Sequence, residues 1–324
     1  MKRTDLLMLG AERVLKLVDL SPLNGARVLL TGATGLIGTH LFAALMAFGK
    51  CKAVTPMYHR SWPEHLQHMC NDQTTPLQAN LATFHSLLGI RHADFVIHAA
   101  GYASPKLFMR SPSDTMRINA LATDELVTHA RQRMLFLSTS EVYSGRLGKA
   151  DELCQGSTST SHPRAVYIQS KKLGEALCLA REVGRVARAS SVYGPGLLHN
   201  TGRVWEDFIE RGLQGAVTLR DMGRAERPWC YVTDAVAMLF HVLLHGEFKL
   251  YNVGAEKVHT IARLAHQAAE CAGAVVRFPL ETELARGAPQ SVRLDMKRLR
   301  DEFWFPYTSL AKGIAETVRW YKLA

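Results

Sequence analysis

Residues 31–38 read Thr31-Gly32-Ala33-Thr34-Gly35-Leu36-Ile37-Gly38, a G-x-x-G-x-x-G turn after the apolar run Arg27-Val28-Leu29-Leu30-Thr31 and before a helical run over 36–48. Gly32 permits a tight turn, Gly35 removes a side chain where a pyrophosphate would approach, and Gly38 lets the helix pack close to the strand. The helix N-terminus then presents N–H groups and a positive dipole end to an anion. With these flanks the turn commits the chain to a strand–turn–helix unit that cradles a dinucleotide.

Further short apolar runs follow at 51–55, 94–98, 134–138 and 184–188, separated by helical stretches. Strands alternating with helices imply right-handed crossovers. The expected fold class is α/β, a Rossmann-type doubly wound parallel sheet with a smaller C-terminal substrate-binding lobe. After Tyr193-Gly194-Pro195-Gly196 the pattern loosens, with Gly or Pro at 202, 212, 215, 223 and 228 and again from 279 to 289. The expected organisation is a helical extension over 1–24, a dinucleotide-binding domain over 25–192, and a mainly substrate-binding lobe over 193–324 whose segment 228–254 returns to the sheet. Residues 5–20 read as an amphipathic helix with Leu6, Leu9, Val14, Leu17 and Val18 near one face, because Glu12 and Arg13 interrupt any signal-peptide run.

Of the 324 residues 47% are apolar, yet no run approaches the roughly 20 that a membrane helix needs. The six cysteines are scattered without a C-x-x-C, so neither a zinc site nor a disulfide framework is read and a cytoplasmic setting is expected. No metal is expected. The formal charge of +10 is spread without a basic tract, which favours a polyanionic small molecule over nucleic acid.

A carboxylate about 20 residues beyond the glycine turn usually binds an adenosine ribose. Here the stretch is Thr55-Pro56-Met57-Tyr58-His59-Arg60, in which His59 and Arg60 can meet a 2′-phosphate. NAD and NADP both stay open. Asn80-Leu81, after a third strand, offers an amide side chain to adenine.

The reacting chemistry is read from Ser138-Thr139-Ser140-Glu141-Val142-Tyr143 and from Tyr167-x-x-x-Lys171. On a helix Tyr167 and Lys171 share a face. A nearby ammonium draws a phenol from its ordinary pKa of about 10 toward working pH, so the tyrosine can move a carbinol proton while a nicotinamide takes the hydride. Ser138 and Thr139, ending a strand, are placed to bind the same hydroxyl.

These residues resemble the extended short-chain dehydrogenase/reductase superfamily, in its NAD-dependent nucleotide-sugar epimerase, dehydratase and decarboxylase branch. The resemblance runs from about residue 25 to the C-terminus. It rests on 31–38, His98-Ala99-Ala100, Asn119 with Thr123, 138–143, Tyr167 with Lys171, Tyr193-Gly194-Pro195, Arg227 through Asp234, and Tyr251-Asn252-Val253-Gly254. Ala103-Ser104-Pro105, Thr139-Ser140-Glu141, Pro163-Arg164-Ala165 and Gly202-Arg203-Val204 look most like UDP-glucuronate decarboxylases.

The resemblance implies cofactor contacts at Gly32, Thr34, Gly35, Leu36, Ile37, Gly38, Arg60, Asn80, Leu81, Ala99, Ala100, Gly101, Ser138, Tyr167 and Lys171. It implies catalytic roles for Thr139, Ser140, Glu141, Tyr167 and Lys171, and substrate contacts at Ser104, Arg203, Val204, Arg227 and Arg286. The cofactor implied is NAD, with NADP not excluded, and the substrate is a nucleotide sugar, UDP-linked. A homodimer is implied through helices 112–131 and 164–183, with Ile118, Leu121, Leu126, Ala176, Leu177 and Leu179 as candidate contacts. The related 4,6-dehydratases carry Asp where Ser140 stands, to protonate a departing C6 hydroxyl, and Ser is a poor proton donor near neutral pH. Decarboxylation of a hexuronate through a 4-keto sugar is the leading expectation. The competitors are a 4-epimerase, a 4,6-dehydratase and a non-catalytic dinucleotide-binding regulator. Two positions depart from the pattern: Ser191 replaces a common Asn, and the second-strand acid is missing. His98, Phe136 and Tyr143 are expected to pack rather than react, and Phe303, Trp304 and Phe305 to anchor the C-terminal helix.

Overall fold

A computed structural model describes residues 2–83, 87, 89–197, 202–280 and 291–323. In chain order the main elements are α1 (Arg3–Leu17), β1 (Arg27–Thr31), α2 (Leu36–Phe48), β2 (Ala53–Tyr58), β3 (Leu77–Gln78), β4 (Ala93–His98), α3 (Ala122–His129), β5 (Ala130–Thr139), α4 (Ala165–Leu179), β6 (Gly184–Ala189), α5 (Val204–Leu213), α6 (Val232–Leu244), β7 (Leu250–Val253), α7 (Ile261–Ala272) and α8 (Leu310–Lys322). The seven strands form one parallel sheet in the order β3-β2-β1-β4-β5-β6-β7. The order reverses between β1 and β4, and the crevice at the carboxyl ends of these strands is where an open α/β sheet receives its ligand.

Strand periodicity divides the core. Leu29, Val96, Met134, Phe136 and Val186 face one side with Leu126 of α3 and Cys178 of α4. Val28, Leu30, Ile97, Leu135, Leu137 and Ala187 face the other, toward α2 and α6. Because both faces are covered, the strands read as continuous apolar runs. All thirteen residues of α6 are buried. A helix apolar all round needs cover on every side, and α1 supplies the outer layer by packing on both α2 and α6. Arg13 of α1 bonds Asp234 of α6 at 3.0 Å, and Asp234 also accepts the Thr308 backbone N–H at 2.6 Å.

Three elements differ from expectation. The second strand runs to Tyr58 through Pro56, which pairs with Leu30 of β1, while β3 pairs only at Met57 and Tyr58. A missing N–H is tolerated at such an edge. The helix expected over 112–131 breaks into Pro112–Met116, a π turn Arg117–Leu121, and α3. The Ile118 carbonyl of that turn accepts from His98 Nε2 at 3.0 Å, so Nδ1 is left to accept from the Thr31 hydroxyl at 2.7 Å. His98 thus ties β1, β4 and the π turn together, and burial pushes its imidazole down to about 3. Finally, Trp304 is 68% exposed whereas Phe305 is buried and Phe303 stacks on His241 at 4.6 Å. Successive residues of an extended segment face opposite ways, so Trp304 is not an anchor.

Candidate active site

The glycine turn closes on the end of β4. Gly32 has φ 70°, and a Cβ there would lie 2.7 Å from the Ala100 backbone. A Cβ on Gly38 would lie 2.0 Å from the Gly32 carbonyl. Gly35 is the N-cap of α2 and no side chain caps that end, so its first N–H groups are open to phosphate oxygens. Leu36 and Ile37 open α2 after Thr34, the Ala99 and Ala100 backbone lies against Gly32, and a Cβ on Gly101 would lie 3.6 Å from Lys171 Nζ. A dinucleotide fits this donor set. The distal end is less specialised: Gln78 Nε2 donates to the Arg60 carbonyl at 3.2 Å, and Asn80 Oδ1 accepts from the Ala82 N–H at 3.1 Å, capping its own turn before Leu81.

The residues expected to react come from the end of β5 and the first half of α4. Tyr167 is buried, and its ring stacks on Phe108 at 4.3 Å with an interplanar angle of 7°. Burial pushes its phenol well above the ordinary value and the Glu141 carboxylate adds to this, while Thr139, Arg164 and Arg203 pull it back. Lys171 Nζ donates to the Leu137 carbonyl at 2.7 Å and lies 4.6 Å from the centre of the Phe136 ring. Burial pushes this ammonium down to about 7, opposed by Glu175. In the unliganded chain burial is thus the first cause of the shift at both groups.

Ser138 also departs from expectation. Its hydroxyl donates to the Glu175 carboxylate instead of facing the cleft, since side chains alternate along β5 and Thr139 takes the cleft side. Thr139 Oγ1 accepts the Glu141 N–H at 3.2 Å, which starts the short helical turn Ser140–Tyr143. Glu141 Oε1 accepts from Arg164 Nη1 at 2.7 Å. Arg227 is held at Nη1 by the Glu226 carbonyl and feels both Arg164 and Glu141, after a larger depression by burial. Arg203 is depressed by burial, and Glu206, Tyr321 and Tyr167 oppose it. Val204 opens α5 beside it. Ser104 is buried next to Gly202, and its Oγ has no hydrogen-bond partner among the described residues. Arg286 lies outside the described residues.

Sequence reading assigned no role to four residues at this site. Asn119 Nδ2 donates to Ser170 Oγ at 3.0 Å, and its buried Oδ1 has no partner among the described residues. Phe108 clamps the tyrosine. Arg188 forks onto Glu175 beneath the site. Arg164 sits at the N-cap of α4, and its place three residues before Tyr167 was the available signal.

Two other features lie away from this cleft. An open cavity of about 630 Å3 lined by His241, Phe248, Arg298 and Glu302 lies beyond β7 and contains none of the residues above; the convergence of charge and orphaned polar atoms, not cavity size, locates the site. The expectation of no metal overlooks one helical His pair, His241 and His245. Their rings are 5.8 Å apart, but His241 bonds Glu302 at 3.2 Å and His245 bonds the Asp19 carbonyl at 2.6 Å, so the pair has separate partners.

Lys171 gives a pH test. Unfolded, it holds its proton to about pH 10.5; folded, only to about 7. Between these values the unfolded chain binds more protons, so the group makes stability rise with pH over that window. Relative to wild type, Lys171→Met should gain stability most below pH 7 and lose the advantage toward pH 10.5. Urea midpoints across this range measure it, and a pH-independent difference would refute it.

Residues 28–254 match the profile of the NAD dependent epimerase/dehydratase family. UDP-glucuronic acid decarboxylase 1 of Xenopus tropicalis is 27% identical over 314 residues, covering 94% of this chain and 74% of its own. UDP-glucuronic acid 4-epimerase from Bacillus cereus, solved with UDP-glucuronic acid and NAD, superposes with a TM-score of 0.77 at 20% identity, over 91% of this chain and 99% of that one. An epimerase from Methanothermobacter thermautotrophicus gives 0.81 at 20% identity, over 98% and 95%. At such identities the two structures speak for the fold alone.

Proposed function

The chain belongs to the NAD-dependent epimerase/dehydratase family, and from that membership we propose that it decarboxylates a UDP-linked hexuronate through a transient 4-keto sugar. The observation that carries this reading is the Ser140-Glu141 turn held by Arg164 beside Tyr167. It offers an ionic environment for a carboxylate where a dehydratase needs an acid for a departing hydroxyl. The curated relative named above carries the same activity in its name.

Bound NAD supplies the two-electron acceptor and donor at sugar C4. Tyr167 takes the C4 hydroxyl proton and returns it at the end, and Thr139 holds the same oxygen. The Lys171 ammonium favours the phenolate form of Tyr167 that accepts this proton. Loss of CO2 breaks the C5–C6 bond and leaves its electron pair on the C4 oxygen as an enolate, which the Tyr167 and Thr139 hydroxyls stabilise. Glu141, paired with Arg164, orients the C6 carboxylate and positions the water that delivers a proton to C5. Arg227 and Arg203 meet the diphosphate, for which guanidinium forks are suited.

Residues 25–192 serve the cofactor and 193–324 mainly the sugar nucleotide. Dimer contacts fall on the outer faces of the π turn and α4, where Leu121, Val166 and Leu173 are exposed. Ile118 and Leu126, expected at that interface, are buried in the chain's own core. The six cysteines are free thiols, which supports a reducing, cytoplasmic setting. No helix among the described residues is long and apolar enough to cross a membrane.

The test is mass analysis after incubation with UDP-glucuronate and UDP-glucose in the presence of NAD. Loss of CO2 from the uronate is expected. Loss of water from the hexose marks a dehydratase, an inverted C4 without mass change marks an epimerase, and binding without turnover marks a regulator; each would displace this reading.

A further inference from the structure

We propose that Arg164 is the residue that recognises the C6 carboxylate of the substrate, so that the site selects a hexuronate over a neutral hexose. This rests on the decarboxylation reading and adds the specificity element to it. Arg164 is 8% exposed and stands at the N-cap of α4, three residues before Tyr167. Its guanidinium is thereby fixed relative to the phenol that receives the C4 hydroxyl. C6 lies two bonds from C4, so a carboxylate on it must fall close to the groups that surround Tyr167. Those groups are Glu141, Thr139, Arg164 and Arg203. Of the two cations, Arg203 is engaged electrostatically with Glu206, Tyr321 and Tyr167, whereas Arg164 bonds Glu141.

Arg164 is under-used as it stands. It meets Glu141 end-on, through Nη1 to Oε1 at 2.7 Å. Its Nε is buried and has no partner among the described residues. A guanidinium carries five N–H donors in a planar fork and pairs best with a carboxylate through two parallel bonds. A buried donor without a partner is costly, and an acceptor arriving beside it would relieve that cost. The charge balance points the same way. Arg164 acts on Arg227 as a like charge and Glu141 acts on it as an opposite one. An anionic acceptor beside Arg164 would supply the partner that its buried Nε lacks. A C6 carboxylate meets that need, whereas a C6 hydroxyl brings no charge.

The experiment is a binding measurement by calorimetry on the full chain with NAD, in a Tyr167→Phe background so that no turnover occurs. Arg164→Gln should weaken UDP-glucuronate binding by at least about 30-fold, as expected when one partner of a buried charge pair is removed, and UDP-glucose binding by less than about 3-fold. Arg164→Lys, which keeps the charge but loses the fork, should give an intermediate loss for the uronate alone, and it provides the reading if the Gln variant does not fold. Equal losses for both sugars would make Arg164 a structural strut for Glu141 and overturn the proposal, as would no loss for either. A parent protein with no preference for the uronate overturns the decarboxylation reading itself, and this proposal with it. A parent that prefers the uronate, with that preference retained in Arg164→Gln, overturns this proposal alone.

Discussion

Tyr167→Phe should bind NAD and the sugar nucleotide within about twofold of wild type and lose turnover by roughly 10³-fold or more, at the upper part of the range for a general acid–base group. The substitution removes one hydroxyl and little else. The Phe108 stack at 4.3 Å and the burial of the ring are properties of the aromatic face, which phenylalanine keeps. Thermal stability should therefore hold near neutral pH, where burial keeps the phenol protonated. The loss should fall on kcat and not on KM, since the proton moves only as the carbinol is oxidised. Formation of reduced nicotinamide in a single turnover is the direct readout. Turnover within tenfold of wild type would remove Tyr167 from the chemistry.

Arg188→Met should destabilise the fold by about 3–5 kcal/mol, the cost typical of breaking a buried ion pair from one side. Arg188 bonds Glu175 through Nε at 3.0 and 3.1 Å and through Nη2 at 2.7 Å. Its Nη1 reaches the Tyr143 hydroxyl at 2.9 Å and the Glu152 carbonyl at 3.0 Å. The Tyr143 hydroxyl in turn donates to Asn252 Oδ1 at 2.7 Å. Burial works against the guanidinium charge, but the Glu175 carboxylate more than offsets it. Without Arg188 that carboxylate is left buried against Ser138 and close to Lys171. The double variant Glu175→Gln/Arg188→Met should recover most of the loss, because it removes both charges together. Denaturant unfolding measures the cycle. A loss below about 1 kcal/mol for the single variant would mean that the pair is solvated and structurally idle.

Much of the site was legible because its parts are local. The glycine turn, the Ser138–Tyr143 run and the Tyr167/Lys171 pair each lie within a few residues, so spacing alone placed them on a turn, a strand end and one helix face. The fold class followed from alternating apolar runs, which a doubly covered parallel sheet imposes. Other elements were hidden because their causes are remote in sequence. The π turn at Asn119 depends on a bond from His98, twenty residues earlier. The uniform burial of α6 depends on α1, more than two hundred residues earlier, with Arg13 reaching Asp234. Ser138 and Thr139 looked equivalent on the page, and only the Glu175 carboxylate waiting on α4 separated them.

Sequence by itself determined the class of fold and the strand–turn–helix at the glycines, and it put Tyr167 and Lys171 on one helix, because steric and periodic rules act between near neighbours along the chain. Tertiary structure alone decided which charges meet: Arg164 with Glu141, Arg188 with Glu175, and Lys171 with a backbone carbonyl and an aromatic ring. The physical reason is that electrostatic free energy depends on burial and on distance through space. Neither is encoded in separation along the chain, so spacing put Tyr167 and Lys171 on one helix face but said nothing of the burial that acts first on both.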